Sequence, residues 1–329
     1  MSFWALDPPA DPRFDPRLNA WIVTRYRDVA AALREPLLIP ALARSAVPAV
    51  AIDPAAHADF RARALHALSL PAIEPWEEPS TLAAARLAGS LPADEPVDLV
   101  EQYARPLSLE IARIAANISA DTGARLVPLA RAVFDSGCEP YDEALAAASW
   151  KAIVELTAAF RGSPPWTMQM FIALAESLPA FLANAWLALL EQPVEIADFS
   201  KAIDELLRFA GPAKAQFRQA GADVAIRECT IAREQRVILR LDIANRDPDE
   251  FPDPHTLRFD RRGPAHLAFG AGGHGCVGAL LIKSAATVAT RALLDRFAFG
   301  AYQAAPADHF AIRYVSALRV TLRSRSLAQ

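Results

Sequence analysis

The sequence predicts a mainly α-helical protein with small β-sheets. Of its 329 residues, 53% are hydrophobic and only 13 are glycine, a composition that favours packed helices. Apolar residues recur at helical spacing from about residue 54 to about residue 203, and β-type patterns begin beyond Pro212. No linker or repeat divides the chain. We therefore expect one domain over residues 1–329, with a helix-rich core at about 54–210 and a β-rich part at about 212–329.

The first half of the chain is predicted from local patterns. Residues 20–24 are apolar and partly β-branched and predict a strand, and residues 26–34 predict a helix that ends before Pro36. The longest apolar helix is predicted at 171–191. Residues 142–161 are expected to form one helix or two short ones.

The second half of the sequence has mainly β-type patterns. Residues 224–231 and 235–241 alternate in polarity and predict strands with charged turns between them. A meander with many prolines follows and leads to a glycine-rich loop. A helix is predicted at 279–297 and a closing hairpin at 311–323.

The composition argues against several classes of protein. A net charge of −4 offers no basic surface for nucleic acid or an anionic membrane. The three cysteines, Cys138, Cys229 and Cys276, form neither a disulfide framework nor a Cys-x-x-Cys zinc motif. The first residues do not resemble a signal peptide, and no uninterrupted apolar run reaches the ~18 residues that span a bilayer. We expect a cytoplasmic protein that binds neither nucleic acid nor membrane.

The glycine-rich loop at 269–278 is the most informative feature, because it presents one cysteine just before a helix. Unpaired backbone N–H groups and the helix dipole stabilise a thiolate at a helix N-terminus. Glycines beside Cys276 allow a bulky flat ligand to approach the backbone.

Two other interpretations of this loop are open. Residues 270–275 also fit the G-x-G-x-x-G dinucleotide fingerprint, with Asp295 twenty residues further on. That fingerprint needs a strand that ends in the acid, whereas Asp295 lies in a helical pattern. An inert buried cysteine beside a glycine turn is the other alternative.

The same letters resemble the haem-thiolate loop of cytochromes P450. That loop reads Phe, two residues, Gly, one residue, His or Arg, one residue, Cys, one residue, Gly. Every fixed position is met in order, by Phe269, Gly272, His274, Cys276 and Gly278. The resemblance implies a P450-like haem-thiolate fold with haem b (iron protoporphyrin IX) and Cys276 as the iron ligand. Phe269, Gly270 and Gly278 would lie beside the thiolate.

Glu205 and Arg208 resemble the ExxR pair of the same family. At positions i and i+3 they share a helix face, and an exposed salt bridge of little energetic value is the alternative interpretation. In the family this pair braces the meander together with an arginine. Thr256 stands at the expected place of that arginine, which predicts an incomplete brace.

Five basic residues match the family's positions for binding the haem propionates, because cationic donors suit carboxylates. For each residue alone, a solvated surface position is the alternative. The five are His57, Arg61, Arg218, His266 and His274.

The apolar helix at 171–191 resembles the helix that crosses the distal haem face. By resemblance, Glu176 and Ser177 are the acid and the alcohol that pass protons to bound dioxygen. Leu174 takes the place of a glycine and narrows the groove beside them. Pro179 removes its own N–H, so the Ala175 carbonyl loses its helical partner and a kink is expected there.

The resemblance implies a monooxygenase that inserts oxygen into a small organic or carrier-tethered substrate. Electrons would come from a ferredoxin- or flavodoxin-type donor. The chain is short for the family in the region of the lid helices, which predicts an open pocket or one that is capped by another subunit or partner. Leu174 and Ser177 leave two alternatives open: a haem-thiolate enzyme that uses peroxide or catalyses a rearrangement or dehydration, and a non-catalytic haem protein.

Overall fold

The computed structural model describes residues 3–41 and 54–325, and it confirms a mainly helical fold with small sheets. The helices are α1 (Tyr26–Ala32), α2 (Pro54–Ala67), α3 (Leu70–Gly89), α4 (Arg105–Ala116), α5 (Ala120–Cys138), α6 (Glu143–Ala159), α7 (Thr167–Ile172), α8 (Leu178–Glu191), α9 (Phe199–Ala210), α10 (Leu241–Ala244) and α11 (Ala279–Arg296). The strands are β1 (Arg13–Asp15), β2 (Ala20–Val23), β3 (Leu38–Pro40), β4 (Pro96–Asp98), β5 (Ala215–Ala220), β6 (Val224–Ile226), β7 (Cys229–Ile231), β8 (Arg236–Arg240), β9 (Phe297–Asp308) and β10 (Arg313–Ser324).

The described strands form a five-stranded sheet, a three-stranded sheet and a hairpin. The five-stranded sheet has the order β1-β2-β8-β5-β3, in which only the β2–β8 pair is parallel. The three-stranded sheet has the order β4-β10-β9, and β6 pairs with β7. Arg218 lies on β5, opposite Val237 of β8 and Pro40 of β3. The sheet therefore fixes this arginine from both sides.

The C-terminal hairpin differs from the prediction. The sequence pattern placed a whole hairpin at 311–323, but that segment is only β10, and its partner strand β9 starts at Phe297. Alanines dominate β9, and they have low β propensity. Its long antiparallel pairing with β10 overrides that propensity.

A packed helix pair occupies the stretch in which the sequence predicted a reduced lid. Helix α6 forms as one helix where residues 142–161 predicted one or two, and the longer helix α5 precedes it and packs against it. Helix α5 also contacts the helix that contains Glu176.

The apolar helix predicted at 171–191 forms the centre of the core. It runs from Thr167 to Glu191 through α7 and α8, and Phe171, Phe181 and Trp186 are fully buried on it. By length and composition alone this helix is apolar enough to cross a membrane. However, 83% of its most apolar window is buried inside the protein.

The helix is irregular beside the proline, where the sequence predicted a kink, and the irregularity takes the form of a widened turn. Residues Ala173–Ser177 form a π-helical turn, and the N–H of Leu178 donates to the carbonyl of Ala173 five residues earlier. Pro179 causes the change because it has no N–H to offer Ala175. The turn contains both Glu176 and Ser177.

The brace between α9 and the meander forms in the structure, and it includes two arginines. Both oxygens of Glu205 accept hydrogen bonds from Arg208, each at 2.7 Å, and Arg208 also donates to the carbonyls of Asn245 and Pro254. The prediction of an incomplete brace is wrong, because Arg261 supplies the second guanidinium at 3.1 Å from Glu205. The chain reverses direction within the meander, and this brings Arg261, rather than Thr256, to the carboxylate of Glu205.

We expect Arg261→Ala to lower the free energy of unfolding by about 3 kcal/mol, because it removes a buried partner of Glu205. Urea denaturation followed by circular dichroism measures this change. Arg262→Ala is the matched control, because Arg262 is the exposed neighbour, and its effect should stay within about 0.5 kcal/mol. Equal effects of the two substitutions would contradict the brace.

Candidate functional site

The cysteine loop has a backbone that requires glycine at two positions. Gly270 and Gly272 have φ of 67° and 69°, in the left-handed region. A Cβ on Gly270 would lie 2.7 Å from Nε2 of Gln216, and one on Gly272 would lie 2.8 Å from a backbone oxygen. Gln216, on β5, therefore packs directly on the loop.

Cys276 lies at the end of this loop, just before α11. Its N–H donates to the carbonyl of Phe269 at 2.8 Å, which closes the loop. The residue is accessible. Desolvation by the surrounding protein raises the pKa of the thiol, while the N–H of Gly278 and the charge of Arg61 act in the opposite direction. Desolvation outweighs these two effects, so the surroundings favour the neutral thiol.

Four basic side chains gather beside the loop. The rings of His57 and His274 lie with their centroids 4.4 Å apart and their planes tilted by 32°, and Arg61 donates to the carbonyl of Gly275 at 2.5 Å. Burial and the positive charges of His57, Arg218 and Arg61 lower the pKa of His274 to about 4. Helix α2, strand β5 and the cysteine loop thus bring their basic side chains together, and the two arginines supply the positive charge.

Arg218 is the buried member of this group, because only 4% of its surface is accessible. Its guanidinium donates to the carbonyl of Phe217 at 3.0 Å and to Oε1 of Gln216 at 2.6 Å. Burial lowers the pKa of Arg218 to about 10. Within residues 3–41 and 54–325 no carboxylate forms an ion pair with it. A buried guanidinium without a counter-charge is costly, so this site is built for an anion.

These residues fit haem. A propionate-bearing macrocycle needs cationic donors for two carboxylates and one axial ligand, and the structure supplies four basic side chains beside an accessible thiol. The donor set does not suit a structural zinc site, since the described residues contain no cluster of His, Cys, Asp and Glu that could hold a metal ion.

Comparison with known proteins gives the same result. A sequence profile of the family Cytochrome P450 matches residues 199–311, which include α9, the meander and the cysteine loop. The chain is 36% identical to cytochrome P450 monooxygenase PikC of Streptomyces venezuelae over 135 residues, which are 39% of this chain and 32% of that protein.

Solved structures extend this likeness over nearly the whole chain. The fold is similar to that of cytochrome P450 CYP109B1 from Bacillus subtilis, with a TM-score of 0.81 and 22% identity, covering 94% of this chain and 95% of the other. It is also similar to P450BioI in complex with hexadec-9Z-enoic acid ligated acyl carrier protein, with a TM-score of 0.80, 20% identity and 92% coverage of each chain.

The family profile, the curated relative and the solved structures together support the cytochrome P450 superfamily for this chain. The matched sequence spans about a third of the length of the curated relative. The structural likeness, at low identity, shows the P450 fold. The dinucleotide interpretation of the loop is wrong, because Asp295 lies on α11 and not at the end of a strand.

His266 lies apart from the four basic residues in its contacts. Its Nε2 is 3.7 Å from the carboxylate of Asp204 on α9, and its Nδ1 accepts the N–H of Ala268. Lys283 of α11 lies 2.6 Å from the same carboxylate. The structure therefore places His266 in a bridge between α9 and α11, and its predicted role at a propionate stays a prediction.

Glu176 is a buried acid on the apolar helix that runs from Thr167 to Glu191. Its side chain is 1% exposed, and Oε2 lies 2.7 Å from Nη2 of Arg131 and 3.7 Å from Nη1 of Arg105. The contact with Arg131 has the distance of an ion pair but lacks hydrogen-bond alignment, and both carboxylate oxygens lack a hydrogen bond. Burial raises the pKa of Glu176 and outweighs the two arginines.

The two other predicted distal residues lie in the same π turn. Ser177 is half-buried, and Leu174 is 1% exposed and packs in the core. A cavity of about 10 Å³, the size of one water, lies beside Glu176, Arg105, Arg131 and Tyr314. It is the place where a water can satisfy the unbonded carboxylate oxygens.

Four functional residues were not predicted from the sequence: Gln216, Arg105, Arg131 and Arg261. Gln216 lies two residues before Arg218 and shares its side of β5, a signal that strand alternation contains. Nothing in the sequence spacing links Arg105 or Arg131 to Glu176, since the contacts join separate helices.

We expect Arg218→Gln to have opposite effects on the apoprotein and on haem binding. Removing an uncompensated buried charge should raise the melting temperature of the apoprotein, whereas the loss of a propionate donor should increase the rate of haem transfer to apomyoglobin at least about tenfold. Arg236→Gln, on the adjacent strand, should change neither quantity appreciably. Faster haem loss together with a lower apoprotein melting temperature would indicate a purely structural role.

Glu176 should make stability depend on pH with a definite sign. Its pKa in the folded protein lies above the ordinary glutamate value of 4.5, so the folded state keeps a proton that the unfolded chain has lost. Stability from this group therefore decreases as the pH rises from about 4.5 through the folded pKa. We expect Glu176→Gln to become more stable relative to the wild type across that range, as measured by urea denaturation at successive pH values. A difference that does not change with pH would contradict the raised pKa.

Proposed function

We propose that this protein is a haem b-dependent monooxygenase that acts on a small organic or carrier-tethered substrate in the cytoplasm. The observation that carries the proposal is the group formed by His57, Arg61, Arg218 and His274, which lies beside Cys276 without a balancing carboxylate among the described residues. Similarity to the P450 superfamily supports it.

The proposal assigns roles to two residues of the cysteine loop and to two arginines beside it. Cys276 would hold the iron, and thiolate-ligated haem supplies dioxygen activation with cleavage of the O–O bond. The N–H of Gly278 faces the sulfur and moderates its basicity. Arg61 and Arg218 would bind the propionates and orient the macrocycle, since their guanidinium groups are already fixed by Gly275 and Gln216.

Glu176 and Ser177 are the proposed proton donors. Burial raises the pKa of the Glu176 carboxyl, which favours its protonated form and suits it to general acid catalysis. Arg131 and Arg105 hold Glu176 in place, so delivery of its proton requires the side chain to turn from Arg131 or to pass the proton through a water in the adjacent cavity. The hydroxyl of Ser177 is the neighbouring group that could accept it.

Electrons are proposed to come from a ferredoxin- or flavodoxin-type donor. No flavin or iron–sulfur motif occurs in the sequence, so the chain needs an external source. For the substrate, the structural neighbour P450BioI was solved with a fatty acid carried on acyl carrier protein, which makes acyl chains in free and carrier-bound form the first probes.

A second candidate is a haem-thiolate enzyme that uses peroxide. The observation in its favour is the pairing of Glu176 with two arginines beside the bulky Leu174. Hydrogen peroxide already carries the protons and electrons that dioxygen would have to receive from Glu176 and Ser177 and from the electron-donor protein.

Turnover separates the two candidates. The purified haem-loaded chain would be incubated with hexadecenoic acid, free or as the acyl carrier protein thioester, with either NADPH and a ferredoxin system or hydrogen peroxide. We expect hydroxylated product only with the electron donor, and Glu176→Gln should reduce it at least about 100-fold at unchanged haem content.

Asp135→Asn is the matched control for that assay, because Asp135 lies 3.8 Å from the same Arg131 and is 40% exposed. Its activity should stay near that of the wild type. Equal loss in both variants would assign a structural role to the Arg131 cluster. Product formed with peroxide and unaffected by Glu176→Gln would favour the second candidate.

A further inference from the structure

Helix α6 has two apolar faces, and only one of them is packed. The inner face carries the buried residues Ser149, Ala152, Ile153 and Leu156, which lie at helical spacing and pack towards α5. A second set of apolar residues lies on the opposite side of the helix, where a surface helix normally has polar residues.

The outer face is a continuous stripe of exposed residues. Trp150 is 56% exposed and Val154 is 54% exposed, and the smaller side chains of Ala147 and Ala158 extend the row one turn in each direction. These four positions are three or four residues apart, so they lie above one another on the helix. An exposed tryptophan next to an exposed valine is the composition of an interface rather than of a solvated face.

The stripe has an acidic residue at one end and a basic residue at the other. Glu143 begins α6 on the line of Trp150, and Arg161 follows its last turn, held by a hydrogen bond from its N–H to the carbonyl of Ala158. Both charged residues are exposed. With about 1.5 Å rise per residue, the stripe is roughly 27 Å long.

The order of residues along the stripe is self-complementary. Ala152 is midway between Trp150 and Val154, and it is also midway between Glu143 and Arg161. When a second α6 lies antiparallel, with a two-fold axis at the level of Ala152, Trp150 of each helix meets Val154 of the other. The same rotation places Glu143 against Arg161 at both ends, which gives two charge pairs.

We propose that the outer face of α6, defined by Glu143, Ala147, Trp150, Val154, Ala158 and Arg161, binds the same face of a second copy of this chain. A membrane is a poorer match because a bilayer offers nothing for the acid at one end of the stripe. The two-fold arrangement buries the tryptophan and neutralises both ends. Because α5 packs on α6 and contacts the distal helix, such a dimer would fix the helix pair that covers Glu176. This inference does not rest on the proposed activity.

Sedimentation velocity of the haem-loaded full chain, from about 1 to about 100 μM, measures the association. We expect a monomer–dimer equilibrium, and Trp150→Glu should raise its dissociation constant at least about tenfold at an unchanged absorption spectrum and melting temperature. Leu82→Glu is the matched control, because Leu82 is a 64% exposed apolar residue on α3, and it should leave the equilibrium unchanged.

A charge swap tests the antiparallel register. Arg161→Glu alone should weaken the dimer, because it places two acids together at each end, and Arg161→Glu combined with Glu143→Arg should restore it. A monomer at every concentration overturns the proposal. A dimer that Trp150→Glu leaves intact, or one that the double swap does not restore, overturns the proposed face and register.

Discussion

Unbalanced positive charge beside Cys276 is the constraint on which the account of this site depends. Arg218 is buried within the five-stranded sheet, Arg61 reaches the loop from α2, and the adjacent rings of His57 and His274 complete the group. Such a group costs folding free energy unless an anion is present. The fold thus retains a feature that lowers the stability of the empty protein and that a dianionic cofactor converts into a binding site. Function and stability oppose each other at Arg218.

The brace at Glu205 positions this site from the other side. Arg208 and Arg261 share one buried carboxylate, and their remaining donors bind the backbone of the meander. Asn245 accepts the N–H of Leu267 and links the same region to the start of the cysteine loop. Rigid placement of Cys276 therefore begins at α9, some seventy residues earlier in the sequence, and the loop needs few contacts of its own.

The sequence could predict what is written in fixed local spacing. The cysteine loop, the apolar distal helix and the distortion at Pro179 follow from neighbouring residues, and the structure has them where expected. It could not predict contacts made by chain reversal or between separate helices. Arg261 makes the contact with Glu205 for which an arginine was expected in place of Thr256. Arg131 pairs with Glu176 from another helix. Strand β9 likewise exists because β10 pairs with it and not because of its composition.

Glu176 is held by two arginines, and Leu174 fills the core beside it. In the proposed function these two features bear on which oxidant is used, but the ligand at the iron comes first. The absorption spectrum of the reduced carbon monoxide complex tests that ligand most directly. For the purified full chain the account predicts the red-shifted Soret band of thiolate ligation, and its loss in Cys276→Ala. A chain that takes up no haem, or a band that persists without the Cys276 thiol, would contradict it.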